Sequence, residues 1–342
     1  MRAMLLERVG PIVDEGGPLA AAELPDPVPG PGEVRLRVAV CGVCHTELDE
    51  IEGRMTPPRL PVVPGHQVVG RVEALGAGVT SLREGDRVGV AWIASSCGHC
   101  RYCREGNENL CPEFRATGRD VDGGYAERMT ARAGYVYPIP AVFSDVEAAP
   151  LLCAGAIGYR SLKLSGLRDG DPLGLTGFGA SAHLVLQMAR HRYPRSSVHV
   201  FARSEGERAF ARELGATWAG DTTEEPPEKL AAVIDTTPAW QPVVEALKHL
   251  LPEGRLVINA IRKEERDKAA LLGLDYPRDL WLEKEVKSVA NVARSDVRDF
   301  LALAAEVPLR PETQVYPLAE ANQALRELKA RRIRGAKVLR AA

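Results

Sequence analysis

The stretch Pro172-Leu-Gly-Leu-Thr-Gly-Phe-Gly-Ala-Ser-Ala182 joins a short apolar segment to the start of a helical segment. Its glycines and final alanine fit the pattern G-x-G-x-x-G/A, which permits a tight turn and a close backbone approach to a pyrophosphate. The pattern alone also occurs in ordinary tight turns, but its place between a strand and a helix predicts a dinucleotide site. The predicted phosphate-binding residues are Gly177, Gly179, Ala180, Ser181 and Ala182.

Apolar strands alternate with helices on both sides of this stretch, from about residue 154 onward. Strand–helix repetition of this kind builds a doubly wound parallel sheet, so an α/β domain is predicted here. The predicted strands are Pro172–Thr176, Ser197–Ala202, Ala231–Asp235 and Arg255–Asn259, and the predicted helices include Ala180–Arg190 and Glu205–Leu214.

The residues before this region have a different pattern, rich in Gly, Pro and Val. Val34–Val40, Gly70–Leu75 and Asp86–Ala91 alternate apolar and polar residues with a period of two, and turn residues separate them. Many short strands with frequent turns predict an irregular β barrel or sandwich. A further strand is predicted near the end of the chain, at Ala336–Arg340.

The second strand of the α/β region ends in Phe201-Ala-Arg-Ser204, without a carboxylate. Asp or Glu at this place commonly holds the adenosine ribose of NAD. Arg203, Ser204 and Arg208 can instead hold a 2′-phosphate, which favours NADP, or use of both cofactors, over strict NAD. Two alternatives remain open: both arginines are solvated surface charges, or Glu205 reaches the ribose.

Four cysteines form the spacing C-x2-C-x2-C-x7-C at Cys97, Cys100, Cys103 and Cys111. Four thiolates on one short lobe can close a tetrahedron around Zn(II), which predicts a structural zinc site. Disulfides and an iron–sulfur cluster are the alternatives. The last spacing is longer than in ferredoxins, and disulfides require an oxidising compartment.

Cys44, His66 and Cys153 offer a second metal-ligand set, in which two Cys and one His leave a fourth position open. Taken without further context, a buried thiol and a core histidine are the commoner explanation. The seventh cysteine, Cys41, belongs to neither set.

Composition excludes several classes of function. The 342 residues carry a formal net charge of −2, which gives no reason to expect a nucleic-acid partner. No apolar run reaches the length of about 18 residues that predicts a membrane span. The start, Met1–Arg8, lacks the features of a signal peptide, and free metal-binding thiols suit a reducing cytoplasm, so a cytoplasmic location is expected.

Four segments are informative together: Cys41-Gly-Val-Cys-His-Thr-Glu-Leu48, Pro64-Gly-His-Gln-Val-Val-Gly70, Pro150-Leu-Leu-Cys-Ala-Gly155 and the glycine loop up to His183. Together they resemble the zinc-dependent medium-chain alcohol dehydrogenases, and the glycine loop resembles the propanol-preferring branch of that family. The resemblance covers essentially the whole chain. It implies a GroES-like β-barrel catalytic domain at residues 1–153, completed by 293–342, with a Rossmann domain inserted at 154–292.

The resemblance also implies roles for single residues. Cys44, His66 and Cys153 match the ligands of a catalytic zinc, so that two zinc ions are expected per chain. Thr46 matches the hydroxyl that bonds the substrate alcohol and starts a proton relay towards His45, Asp49 or water. The remaining matches are Trp92 and Met55 in the substrate pocket, Arg334 at the cofactor phosphates, and Glu47 as the partner that orients His66.

Two positions depart from the family pattern. Gln67 stands where relatives usually have Glu after the ligand histidine, and Asp49 stands where many have His. The expected activity is hydride transfer between a primary or secondary alcohol, or its aldehyde or ketone, and a nicotinamide cofactor. The alternatives are a polyol, threonine or cinnamyl-type dehydrogenase, a zinc-independent quinone reductase, and a catalytically silent member. A homotetramer or dimer is expected, with Val286–Val292 as an edge strand that pairs between subunits.

Overall fold

The computed structural model describes residues 1–13, 16–307, 309, 311–330 and 335–341. The chain forms two compact units. The first unit comprises Met1–Ala156, Asn291–Ala305 and Arg310–Ala342, and the second comprises Ile157–Ala290 and Glu306–Leu309. The domain boundaries expected from the sequence, after residue 153 and before residue 293, stay a prediction.

The elements up to residue 155 are short, as the turn-rich sequence predicts. They include two 3₁₀ turns, Glu108–Leu110 and Ala133–Tyr135, and a π turn at Leu151–Gly155. The strands and helices are β1 (Arg2–Leu6), β2 (Leu19–Glu23), β3 (Glu33–Val43), α1 (His45–Ile51), β4 (Val68–Leu75), β5 (Arg87–Val90), β6 (Ile93–Ser95), α2 (Arg101–Arg104), β7 (Arg115–Ala116), β8 (Arg128–Arg132), β9 (Val136–Pro138) and α3 (Asp145–Pro150).

Strands and helices alternate through the middle of the chain. They are α4 (Ala156–Ser165), β10 (Leu173–Thr176), α5 (Ala182–Arg192), β11 (Val198–Phe201), α6 (Glu205–Glu213), β12 (Trp218–Gly220), β13 (Leu230–Asp235), α7 (Gln241–His249), β14 (Leu250–Ile258) and β15 (Glu285–Ser288), with a 3₁₀ turn at Lys268–Gly273 and a π turn at Tyr276–Leu280. The last part holds α8 (Arg294–Glu306), β16 (Thr313–Pro317), a 3₁₀ turn at Leu318–Glu320, α9 (Ala321–Lys329) and β17 (Ala336–Arg340).

The first unit is built on a mainly antiparallel sheet with the order β16-β17-β3-β4-β5-β9, and β8 also pairs with β3. The predicted period-two strand is confirmed, since Val34, Leu36 and Val38 are buried in the core while Arg37 between them is exposed. The late strand β17 pairs antiparallel with β3. The end of the chain therefore completes the sheet begun by the N-terminal residues.

The second unit contains a six-stranded sheet with the order β12-β11-β10-β13-β14-β15, in which every pairing is parallel. All residues of β10 and β11 are buried, as expected when helices cover both faces of a parallel sheet. The predicted doubly wound sheet is confirmed. The strand order reverses between β10 and β13, and ligands of such sheets bind at the carboxyl ends of the strands at this point.

Two predicted elements differ in detail from the structure. Helix α5 begins at Ala182 rather than Ala180, because residues 177–181 are used by the turn that follows β10. The predicted edge strand is shorter, at Glu285–Ser288, and pairs with β14. None of the helices in the described part of the chain has both the length and the apolar character needed to cross a membrane.

Candidate metal centres and a candidate nucleotide loop

Three predicted metal ligands from separate parts of the first unit converge. The ligand atoms of Cys44, His66 and Cys153 all lie within 4.8 Å of one another. The Sγ atom of Cys44 lies 3.7 Å from Nε2 of His66. Two sulfurs and one imidazole nitrogen fit a zinc ion and leave a fourth position for another ligand.

The local sequence explains how two of these side chains are placed. Cys44 caps helix α1: its Sγ accepts the backbone N–H of Thr46 at 3.3 Å, and its own N–H donates to Glu47 Oε2 at 2.9 Å. His66 follows Gly65, whose φ of +99° suits glycine. A Cβ at Gly65 would lie 2.4 Å from the ring of Tyr125, so the turn needs glycine for space as well.

The third ligand, Cys153, lies in the π turn Leu151–Gly155 that continues helix α3. Single π turns inside helices are rare and occur frequently at functional sites, because they redirect a side chain without ending the helix. Cys153 is half-buried, while Leu151 and Leu152 on the same turn are buried in the core. The turn thus buries Leu151 and Leu152 in the core and leaves the Cys153 thiol partly accessible.

Glu47 orients the histidine. Its Oε1 accepts the N–H of His66 Nδ1 at 2.5 Å, and both side chains are almost fully buried. Burial alone would lower the pKa of His66, but the Glu47 carboxylate and the Cys44 sulfur raise that pKa well above its ordinary value. The Nδ1–H bond leaves Nε2, on the Cys44 side, as the atom available to a metal.

The surroundings of Cys44 favour the protonated thiol over the thiolate. Its hydrogen bond with Cys153 and its burial raise the pKa of Cys44 well above the ordinary value. A metal ion would have to displace this proton, so metal binding is coupled to proton release.

The structure places other predicted site residues on and around helix α1. Thr46 is half-buried and His45 is exposed. Asp49 is buried, and its Oδ1 accepts a hydrogen bond from Arg54 Nε at 2.5 Å. Met55 is half-buried, and its backbone N–H donates to the Asp49 carbonyl at 2.9 Å. Asp49 is therefore an ion-pair partner as well as a predicted relay residue.

Two more predicted residues border the ligand histidine. The ring of Trp92 is buried edge-on to the His66 ring, with 4.9 Å between the centroids. Gln67 is buried against Gly42, where a Cβ would lie 2.7 Å from Gln67 Oε1. The amide that departs from the family pattern is thus packed against the backbone of β3.

Sequence reasoning missed Glu50. Its side chain is buried, and neither carboxyl oxygen has a hydrogen-bond partner among the described residues. Burial, and then the charge of Glu47, raise the pKa of Glu50 well above its ordinary value. The available signal was its spacing of three residues from Glu47, which places both carboxyls on one helix face.

The four-cysteine lobe is also assembled. The Sγ atoms of Cys97, Cys100, Cys103 and Cys111 lie within 4.8 Å of one another. Backbone N–H groups of His99 and Cys100 lower the pKa of Cys97 to about 6, which favours the thiolate that metals bind. The Sγ atom of Cys103 lies 3.8 Å from that of Cys97 and 3.6 Å from that of Cys100, distances longer than the roughly 2.05 Å of a disulfide bond. This group can hold a metal ion with four sulfur ligands.

The predicted glycine loop lies at the carboxyl end of β10, where the strand order reverses. Gly177 has a φ of +75°, and a Cβ there would lie 2.9 Å from Thr237 and 3.0 Å from Thr236, so only glycine fits. Gly179 is exposed, and a Cβ there would meet open space. The turn therefore offers backbone N–H groups and the start of α5 to an anion.

The predicted 2′-phosphate residues have other partners. Ser204 caps helix α6, accepting the N–H of Glu207 at 3.2 Å. Arg208 pairs with Glu205 at 3.0 Å and with Asp221 at 3.2 Å. Arg203 is exposed. The predicted phosphate contact Arg334 lies outside the described residues.

Comparisons with known proteins agree on one family. Residues 30–141 match the model of the alcohol dehydrogenase GroES-like domain. The chain is 42% identical to a "probable alcohol dehydrogenase" of Mycobacterium tuberculosis, over 99% of this chain and 97% of that protein. A solved "NAD-dependent alcohol dehydrogenase" superposes with a TM-score of 0.86 at 26% identity, covering 100% of both chains. A cobalt- and zinc-bound alcohol dehydrogenase from Pyrobaculum aerophilum gives a TM-score of 0.86 at 26% identity, covering 99% of both.

Proposed function

The chain belongs to the zinc-type medium-chain alcohol dehydrogenase family, and we propose that it transfers hydride reversibly between a primary or secondary alcohol and a nicotinamide cofactor. The observation that carries the proposal is the convergence of Cys44, His66 and Cys153, with His66 fixed by Glu47. A zinc-independent quinone reductase would have no use for this ligand set, and a catalytically silent member would be expected to have lost part of it.

Cys44, His66 and Cys153 would hold the catalytic zinc. Zinc at such a site supplies a Lewis acid that makes an alcohol a stronger acid near neutral pH. The donor set supports this assignment, because Nε2 of His66 lies 3.7 Å from the Cys44 sulfur and all three ligand atoms lie within 4.8 Å of one another. The four-cysteine lobe would hold a second, structural zinc, giving two per chain.

Thr46 would relay the proton of the alcohol, its hydroxyl accepting that proton while it donates its own, since Thr46 is the second residue of α1, two positions after Cys44. We place the outlet of the proton at His45, which is exposed to solvent, in preference to Asp49, which is buried and bound to Arg54. Trp92 would exclude water from the ligand histidine and line the substrate pocket, with Met55 as a further lining residue.

The glycine loop would bind the cofactor pyrophosphate, with Gly179, Ala180 and Ser181 nearest to it and Ala182 opening the helix. The sequence favours NADP or use of both cofactors, but the contacts of Arg208 support NAD. Its charge is already balanced by Glu205 and Asp221, and both carboxylates would repel a 2′-phosphate. Arg334 stays a prediction as a phosphate contact.

We further propose a cytoplasmic homo-oligomer, a tetramer or dimer, in which the exposed edge strand β15 pairs between subunits. Seven free thiols support a reducing compartment. The domain boundaries 1–153 with 293–342, and 154–292, are supported by the two compact units, which divide within a few residues of them, except that Glu306–Leu309 belongs to the second unit.

The test is Cys44→Ser, with Cys41→Ala as the matched control, since Cys41 is a neighbouring buried thiol outside the ligand group. We expect Cys44→Ser to abolish turnover and leave cofactor binding intact, whereas Cys41→Ala retains turnover. Turnover by Cys44→Ser at the rate of the unaltered protein would overturn the assignment.

A further inference from the structure

Asp235, at the carboxyl end of β13, joins three segments of the second unit through one fully buried carboxylate. Its Oδ1 accepts the hydroxyl of Thr176 at 2.6 Å, at the end of β10, and the hydroxyl of Thr237 at 2.8 Å. Its Oδ2 accepts the ammonium of Lys263, which lies beyond the end of β14. The ends of β10 and β13 and the segment that follows β14 therefore meet at this carboxylate.

Lys263 uses its remaining donors on the same loop. Its Nζ donates to the carbonyl of Thr237 at 2.8 Å and to that of Ala239 at 3.0 Å, and its side chain is only 8% exposed. An ammonium has three donors, and all three have acceptors here. Burying a charged pair is costly, and apolar residues of similar volume commonly stabilise a fold as well. The Asp235–Lys263 pair is therefore better explained by a need to hold the loop after β13 in a defined position than by its contribution to stability.

The loop after β13 forms part of the crevice at which the strand order reverses. Gly177 packs against Thr236 and Thr237, and the Thr236 hydroxyl donates to the Thr176 carbonyl at 2.9 Å. On the β14 side, Asn259 Nδ2 donates to Ser181 Oγ of the glycine loop at 3.3 Å. The glycine loop thus contacts both the loop of Thr236 and Thr237 and the residue that follows β14.

We propose that the Asp235–Lys263 pair positions the loop formed by residues 236–240 so that it supports the nicotinamide half of the cofactor. This inference rests on the proposed dehydrogenase function. The sheet consists of two mononucleotide-binding halves. Strands β10, β11 and β12 form the half that carries the glycine loop, and β13, β14 and β15 form the other half. Asp235 and Lys263 are positioning residues, since their own polar atoms are occupied by the protein.

The experiment uses the double variant Asp235→Asn with Lys263→Met in the zinc-loaded protein. Removing both charges avoids an uncompensated buried charge. Binding of NADH, or of NADPH if the unaltered protein binds it more tightly, is followed by nicotinamide fluorescence. Binding of 5′-AMP, which carries only the adenosine half, is followed by calorimetry. The matched control is Asp169→Asn, which removes an ion pair with Arg195 in the loops that precede β10 and β11.

We expect the double variant to raise the Kd for the reduced cofactor at least roughly tenfold and to change the Kd for 5′-AMP less than about twofold. Thr237→Val removes one hydroxyl donor without changing charge, and it should raise the Kd for the reduced cofactor roughly threefold while leaving the Kd for 5′-AMP nearly unchanged. This variant keeps the test decisive if the double variant does not fold. Asp169→Asn should bind both ligands normally.

Unchanged cofactor binding in the folded double variant and in Thr237→Val would overturn the inference, and so would equal weakening of the cofactor and 5′-AMP. Failure of the unaltered protein to bind either dinucleotide would instead overturn the proposed function. The two failures are therefore distinguishable.

Discussion

The Nδ1 atom of His66 lies 2.5 Å from Oε1 of Glu47, and both side chains are buried. The same glutamate accepts the backbone N–H of Cys44 through its other oxygen. One carboxylate therefore fixes two of the three proposed ligands: the ring orientation of the histidine and the capping position of the cysteine. Partners of this kind strongly influence metal affinity.

Glu47→Gln should weaken the catalytic site while leaving the structural lobe loaded. We expect its metal affinity to fall roughly 10- to 100-fold, because the amide is a poorer acceptor for the imidazole N–H. Zinc content after dialysis against a chelator should fall from about two ions per chain to about one. The control is Glu127→Gln, which breaks a surface pair with Arg2. A full zinc content in Glu47→Gln would contradict the role given to this carboxylate.

Cys100→Ser should harm stability rather than chemistry. It removes one of four sulfur ligands from the lobe, so we expect loss of one zinc, a lower Tm and weaker assembly. Molecules that remain folded should keep kcat near the unaltered value. Glu105→Gln, a change at an exposed side chain of the same lobe, is the control and should alter none of these. If Cys100→Ser lost activity with the fold and oligomer intact, the lobe would not be structural.

Glu205→Gln should improve the use of NADP. Arg208 is paired with Glu205 at 3.0 Å, so neutralising that carboxylate frees positive charge next to the proposed ribose site. We expect kcat/KM with NADP to rise roughly threefold and kcat/KM with NAD to stay nearly constant. Initial rates with both cofactors measure this. A fall in kcat/KM with NAD, without a rise in kcat/KM with NADP, would mean that Glu205 itself holds the ribose. That is the alternative left open by the sequence.

Glu327 provides a pH test of stability in the first unit. It accepts hydrogen bonds from Lys337 at 2.7 Å and Tyr316 at 2.5 Å, and these contacts lower the pKa of Glu327 from 4.5 to about 2. Because the folded-state pKa is depressed, the stabilisation is fully present above about pH 4.5 and is lost as the pH falls towards about 2.

Glu327→Gln should therefore lower the free energy of unfolding by about 2–3 kcal/mol at pH 7, and the difference should shrink as the pH approaches 3. Urea unfolding at several pH values measures it, with the exposed Glu7→Gln as control. If the two proteins differed in free energy of unfolding by the same amount at pH 3 and pH 7, the charge of the Glu327 carboxylate would not be the cause of the stabilisation.

Local patterns in the sequence predicted much of the fold and of the candidate site. The alternation in β3, the glycine turn after β10 and the spacing of the cysteines are set by residues close together in the chain. The grouping of Cys44, His66 and Cys153 needed the family resemblance, because their convergence depends on three distant segments.

Contacts between distant or differently facing side chains could not be predicted in this way. The pairing of Arg208 with Asp221 alters the cofactor prediction, and it depends on how α6 packs beside β12. The Asp235–Lys263 pair joins the last residue of β13 to a residue beyond β14. The burial of Glu50 depends on which face of α1 meets the core. Tertiary packing determines these two ion pairs and the burial of Glu50, and no short sequence pattern predicts them.

Initial rates with 1-propanol, comparing NAD with NADP on protein of determined zinc content, test the central claim most directly. We expect about two zinc ions per chain, clear turnover, and a higher kcat/KM with NAD than with NADP. Two bound zinc ions with no turnover of any simple alcohol with either cofactor would contradict the claim that Cys44, His66 and Cys153 form the centre of an alcohol dehydrogenase.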